Sequence, residues 1–120
     1  MNVCLALTLL AMMVQSEAPR EPYDGKLAVA YVAVNRAEIS GKDLTTILQQ
    51  PQQFALFPRV VISESSWLAA RTAFTHTRPD PTQGADHFYN HLVKPWPSWY
   101  DEKYITVVIG RHTFLKLGGF

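Results

Sequence analysis

Residues 3–14 read Val3-Cys4-Leu5-Ala6-Leu7-Thr8-Leu9-Leu10-Ala11-Met12-Met13-Val14, and only Thr8 interrupts the apolar run. Gln15-Ser16-Glu17-Ala18-Pro19 follows directly. The run predicts a buried helix over about residues 3–16, apolar nearly all round. Pro19 ends it, because proline lacks the amide proton and pushes the preceding Ala18 out of the helical region. Glu17 is therefore left at a helix C-terminus among apolar side chains. Three features separate the run from a secretory leader or membrane anchor. No Lys or Arg precedes it, the first basic residue being Arg20, so the positive region of a leader is missing. A cut after Ala18 would place Pro19 next and discard Glu17. Twelve residues also fall short of the about 20 that span hydrocarbon. The single Cys4 has no internal partner for a disulfide, and among Val3, Leu5 and Leu7 it is expected to pack as a small hydrophobe.

Outward from this helix, the chain reads as helices first and strands last. A second helix opens near Pro22, with Glu21 and Asp24 at its positive end and Leu27, Ala30, Tyr31 and Val34 along one face, and stops around Gly41. Asp43 caps a short third helix over Leu44 to Gln50, closed by Pro51. Ser63 and Glu64 start a fourth that runs through Trp67, Ala70 and Phe74 to Thr77, and Pro79 and Pro81 forbid its continuation. From Ala85 the texture changes: Ala85 to Tyr89, Tyr104 to Ile109 and Arg111 to Leu117 are rich in β-branched and aromatic residues between Gly or Pro turns, and are expected as strands. The class is α+β, a mainly helical lobe and a small antiparallel sheet lobe flanking a substrate cleft. Residues 1–120 are expected to form one catalytic domain, since 120 residues leave no room for a second core of ordinary size. Apolar residues make up 48%, enough for a real core and against disorder. Eleven Lys plus Arg against ten Asp plus Glu give no basic stripe for nucleic acid and no polybasic membrane patch.

Several segments taken in order resemble the spore cortex-lytic type of cell wall hydrolase, the SleB-like family. They begin with Leu10 to Val14, Gln15-Ser16-Glu17-Ala18-Pro19-Arg20-Glu21-Pro22, Gly25, Ala28-Val29-Ala30 and Val34-Asn35-Arg36. Gln50-Pro51, Gln53-Phe54, Asp80-Pro81-Thr82, Gly84-Ala85, Phe88-Tyr89-Asn90, Trp99, Ile109-Gly110, His112 and Phe114 continue the series. The pieces span about residues 10–117, and their order and spacing carry the resemblance more than any one of them. It implies a lysozyme-like domain that cuts the glycan strand between N-acetylmuramic acid and N-acetylglucosamine, commonly as a lytic transglycosylase, with the first Glu of the motif, here Glu17, as the catalytic residue. One departure stands out. The family carries Arg-Gly after Glu-Ala where this chain has Pro19-Arg20, so Arg20 recovers the charge one position later and the turn differs.

The residues fit that chemistry. Glycoside cleavage needs an acid for the leaving oxygen, and a carboxyl buried at a helix C-terminus has a raised pKa. A transglycosylase uses one Glu as acid and then base while the muramyl 6-hydroxyl attacks internally, whereas hydrolases ordinarily need two carboxylates. Glu21, the nearest second carboxylate, reads as a cap of the second helix, as does Asp24. Gln53, Tyr89 and Asn90 are candidates to hydrogen-bond acetamido and hydroxyl groups, and Phe54, Tyr89 or Trp99 to stack on sugars; the alternative for each is ordinary core and turn filling. Asn35 reads equally well as a helix-end residue. His112 either caps a tight hairpin or lines the cleft. No cofactor is called for, and no metal. His87 and His91 stand four apart with His76 and His112 elsewhere, but on a strand four residues span about 13 Å, too far for two ligands of one zinc.

A second class of function, a non-catalytic glycan-binding or phage structural protein on the same fold, keeps its standing through the altered Pro19-Arg20 turn. The partner in either case is the peptidoglycan glycan strand, with no nucleic acid and no stable membrane insertion. Synthesis in the cytoplasm without a clear signal peptide, with action on the wall, suits a bacteriophage lysis or virion-associated enzyme released through a pore-forming lysis partner or carried with virion proteins.

Overall fold

The computed structural model describes residues 2–51 and 53–120. Four helices precede a small sheet: α1 Val3–Glu17, α2 Tyr23–Ser40, α3 Leu44–Leu48 and α4 Glu64–Thr75, then β1 His87–Asn90, β2 Ile105–Ile109 and β3 His112–Leu115. The sheet is antiparallel in the order β1-β3-β2. Asn90 pairs with His112 on one side of β3, and Ile109 pairs with His112 on the other. A register shift between Ile105 and Val107 bends β2, as bulges do. The three expected strands are present but shorter than their apolar runs, and a single 3-10 turn over Glu102–Tyr104 takes the start of the second.

The helix buried all round is α2, not α1. Every residue from Gly25 to Arg36 is buried, whereas α1 buries Ala6, Leu9, Leu10, Ala11, Met13 and Val14 and exposes Val3, Cys4 and Leu5. The reason is position: α2 touches α1, α3, α4, β1 and β2, while the first turn of α1 projects past its neighbours. Cys4 is accordingly exposed, which corrects the expectation that it packs inside.

A central helix with no polar face must satisfy its own polar side chains. Lys26 Nζ donates to Ser63 Oγ at 3.0 Å and Ser65 Oγ at 2.9 Å. Asn35 Nδ2 donates to Asp80 Oδ2 at 2.8 Å and to the Ala85 carbonyl at 2.9 Å, so Asn35 is an interior anchor and not a helix-end residue. Asp80 in turn accepts from the backbone N–H of Thr82 and Gly84 and from the Thr82 hydroxyl. The Asp80-to-Ala85 loop thus folds around one carboxylate and is pinned to α2, which aims the chain into β1.

Two helix ends follow the sequence closely. Gly41 closes α2 in the left-handed region at φ 70°, and Ser63 caps α4 by accepting from the Ser66 N–H. Asp43 stands at the N-cap of α3, but its side chain makes no capping bond. At the end of α1 three adjacent residues face three ways. Gln15 Oε1 accepts from the Ser63 N–H and Ser66 hydroxyl of α4. Ser16 Oγ donates to the Met12 carbonyl and accepts from the Phe57 N–H. Glu17 is left facing the sheet side.

Candidate active site

Glu17 is the last residue of α1, and two cavities share it. One, about 250 Å³, is lined by the Glu17–Glu21 turn together with Asn90, Arg111 and His112. The other, about 320 Å³, is lined by Glu17, Arg36, Gln53, His87, Phe88, Trp99 and Phe120. A hollow elsewhere, between Leu7 of α1 and Trp67 and Leu68 of α4, holds none of the site residues expected from the sequence. The two cavities therefore meet at the Glu17 carboxyl, where the helical lobe meets the sheet.

The Glu17 carboxyl has its pKa raised above the ordinary value by burial, against the opposing pull of a hydrogen bond from the Ala55 backbone and the positive charge of Arg36. The negative end of α1 acts in the same direction as burial, since a helix C-terminus disfavours an anion. Such a group holds its proton where an ordinary glutamate has lost it. Arg36, buried in α2, donates Nε to the Asp86 carbonyl at 2.6 Å and an Nη to Gln53 Oε1 at 3.0 Å, and lies 4.6 Å above the Phe54 ring. Activity that needs protonated Glu17 should fall as pH rises through its raised pKa. The Arg36 charge favours the anion, so without it the alkaline limb of kcat/KM for Arg36→Met should move to higher pH. A limb that stays put or moves down would show that Arg36 does not act on this carboxyl.

Glu21 is no helix cap. It is buried, its Oε1 accepts from the Arg111 backbone N–H at 2.7 Å and lies 3.1 Å from His112 Nδ1, and Pro22 takes the N-cap of α2 without a side-chain bond. The Glu21 side chain lies against Gly25 in the first turn of α2, and its carboxyl end reaches the turn between β2 and β3. Glu21 is thus a second carboxylate in the first cavity, already engaged with the hairpin. Burial lowers the pKa of His112 even though Glu21 raises it.

The other sequence-predicted residues divide in two groups. Arg20, Asn90 and His112 line the first cavity and Gln53 the second. Phe54 and Tyr89 line neither. Phe54 stacks on Phe88 at 6.4 Å beneath Arg36, and Tyr89, 7% exposed, packs among Trp96, Trp99 and Tyr100. Arg36 and Asp86 escaped the sequence reading, and His87 entered it only as a rejected zinc ligand. Arg36 was legible only as part of the Asn35-Arg36 pair, and the signal that could have found Asp86 is an acid beside His87 inside an otherwise apolar strand. His87 Nδ1 bonds Asp86 Oδ1 and His91 Nδ1 bonds Thr113 Oγ1, so the two histidines turn to different partners.

A family model described as Cell Wall Hydrolase matches residues 20–115, a span that begins just after Glu17 and takes in Arg20, Glu21 and the sheet. Two solved structures share the fold. The catalytic domain of the Bacillus cereus SleB protein superposes with a TM-score of 0.78 at 25% identity, over 94% of this chain and 91% of that one. The catalytic domain of the germination-specific lytic transglycosylase SleB from Bacillus anthracis gives 0.72 at 24% identity, over 93% and 94%. No curated protein matches. The expected α+β arrangement, lysozyme-like with its sheet beside the helical lobe, is the fold of these domains.

Proposed function

We propose that this chain, which belongs to the cell wall hydrolase family, cuts the peptidoglycan glycan strand between N-acetylmuramic acid and N-acetylglucosamine as a lytic transglycosylase, with Glu17 as its single acid and base. The observation that carries the reading is Glu17 itself: one carboxyl, its pKa raised by burial, shared by two cavities. A glycan strand lying through both would bring a scissile bond against that group. The fold relatives supply the reaction class, one of them being described as a lytic transglycosylase.

The chemistry needs no other titrating group at the bond. Glu17 gives its proton to the glycosidic oxygen as the bond from muramyl C1 to that oxygen breaks, and the departing N-acetylglucosamine leaves with a free hydroxyl. The muramyl 6-hydroxyl then attacks C1, its proton passing to the Glu17 carboxylate, and a 1,6-anhydro ring closes. The acid is regenerated without water entering the product. Glu21 is given a holding role instead, its Oε1 accepting from the Arg111 N–H and facing His112 Nδ1. Among the described residues no helix is long and apolar enough to cross a membrane, and the substrate is the wall itself. Mass spectrometry of fragments from purified sacculi should show 1,6-anhydromuramic ends. Reducing muramic ends would mean that water is the acceptor and that a base other than Glu17 takes part. Binding to sacculi with no soluble fragment released would leave a glycan-binding protein, the reading that the altered Pro19-Arg20 turn keeps open.

A further inference from the structure

Asp86 and His87 are both buried at the entrance to β1, and the cell wall chemistry above uses neither. Asp86 is fully buried (0% exposed). Its Oδ1 accepts from the Leu117 N–H at 2.8 Å and its Oδ2 from the Gly118 N–H at 2.7 Å, so backbone donors hold both oxygens as acceptors. His87 Nδ1 lies 2.9 Å from the same Oδ1. Facing an acceptor, Nδ1 must carry the ring proton, and in the neutral ring the lone pair then sits on Nε2. Burial keeps the His87 pKa below that of an ordinary histidine, in spite of Asp86, and the Arg36 charge acts the same way. The ring is therefore neutral at neutral pH. Trp99 at 4.8 Å and Phe120 at 6.0 Å hold its plane, and Nε2 has no partner among the described residues although His87 lines the cavity that Glu17 shares.

We infer that His87 Nε2 accepts a hydrogen bond from a sugar hydroxyl of the glycan strand in the cavity behind Glu17, with Asp86 as the positioning residue that fixes the acceptor tautomer. The inference rests on the cleft being a glycan site and adds what that site lacks. Protonated Glu17 and Arg36 offer donors there, and a sugar hydroxyl that accepts from one of them has its own proton to place. A fixed neutral imidazole takes that proton in a hydrogen bond without competing for the one on Glu17. Trp99 beside it offers an apolar face to the ring that bears the hydroxyl.

The test uses the Glu17→Gln protein, expected to turn substrate over at least about a hundredfold more slowly, labelled with nitrogen-15 in histidine. It is titrated with a peptide-free tetrasaccharide of alternating N-acetylglucosamine and N-acetylmuramic acid. Before addition, His87 should show the Nδ1–H tautomer. At saturation its Nε2 resonance should move upfield while Nδ1 hardly changes. His87→Phe, which keeps a ring against Trp99 but has no acceptor, should bind the tetrasaccharide about tenfold more weakly, and His87→Gln should recover part of the loss. If the sugar binds while Nε2 stays unmoved, or if folded His87→Phe binds as tightly as its parent, the role of His87 is refuted and the cleft stands. If the tetrasaccharide does not bind at all, the peptidoglycan reading of the cleft falls and the role of His87 with it.

Discussion

Glu17→Gln should fold and bind sacculi yet lose about 10² to 10⁴ in kcat, the usual worth of general acid and base help. The amide keeps the shape and the acceptor oxygen that faces the Ala55 backbone, but it has no proton of use to the leaving oxygen. Its stability should move the other way. The folded pKa of Glu17 is raised above the unfolded value of about 4.5, so the native state binds the proton more tightly than the unfolded chain does. Stability from this group is complete below that unfolded value and is lost as pH rises through the folded one. The variant carries no such loss, so it should be at least as stable as its parent at neutral pH and show a flatter stability curve from mildly acidic to neutral pH. Glu21→Gln is the control: the amide oxygen still accepts from the Arg111 N–H, and turnover should drop far less. A Glu17→Gln protein that digests sacculi at near-parental rate, or a Glu21→Gln protein as dead as it, would remove the one-carboxyl mechanism.

What the sequence told, and what it hid, follows from which interactions are local. The four helices and three strands were readable because apolar periodicity, prolines and caps act within a few residues. The burial of α1 was overread, since a run such as Val3 to Val14 looks the same whether its first turn is covered or projects into solvent. α2 was underread for the opposite reason. Its Lys26, Asn35 and Arg36 look like a polar face until Ser63, Asp80 and Asp86, remote in the chain, arrive to satisfy them. The same holds in the site. The place of Glu17 at the end of α1 was legible because a proline marks it locally, while Glu21 looked like a helix cap because its true partners lie 90 and 91 residues away. His87 drew notice only for its spacing from His91, and its pairing with Asp86 takes on meaning only when Leu117 and Gly118 return to that carboxylate.

Those long-range partners make Gly110→Ala the most damaging small substitution expected in the sheet lobe. Gly110 opens the two-residue turn between β2 and β3 at φ 58°, where an L side chain is strained by about 1–2 kcal/mol. A Cβ built there would stand 2.9 Å from Glu21 Cδ and closer still to Oε2. The end of a glutamate ordinarily swings aside at little cost. Glu21 is buried and held by the Arg111 N–H and His112 Nδ1, so moving it leaves buried polar groups without partners, at about 1–3 kcal/mol more. Gly41→Ala isolates the backbone share, because Gly41 has φ 70° and nothing within 4 Å of the added carbon. Denaturant unfolding should therefore show Gly110→Ala less stable than Gly41→Ala by about 1–3 kcal/mol. In a Glu21→Ala background the two substitutions should cost the same, since the clash has gone and only strain remains. Activity should follow the same order, because Arg111 and His112 line the Glu17 cavity and lose their anchor with Glu21. Equal losses in the parent protein would mean that Glu21 yields freely and does not hold the hairpin against the cleft.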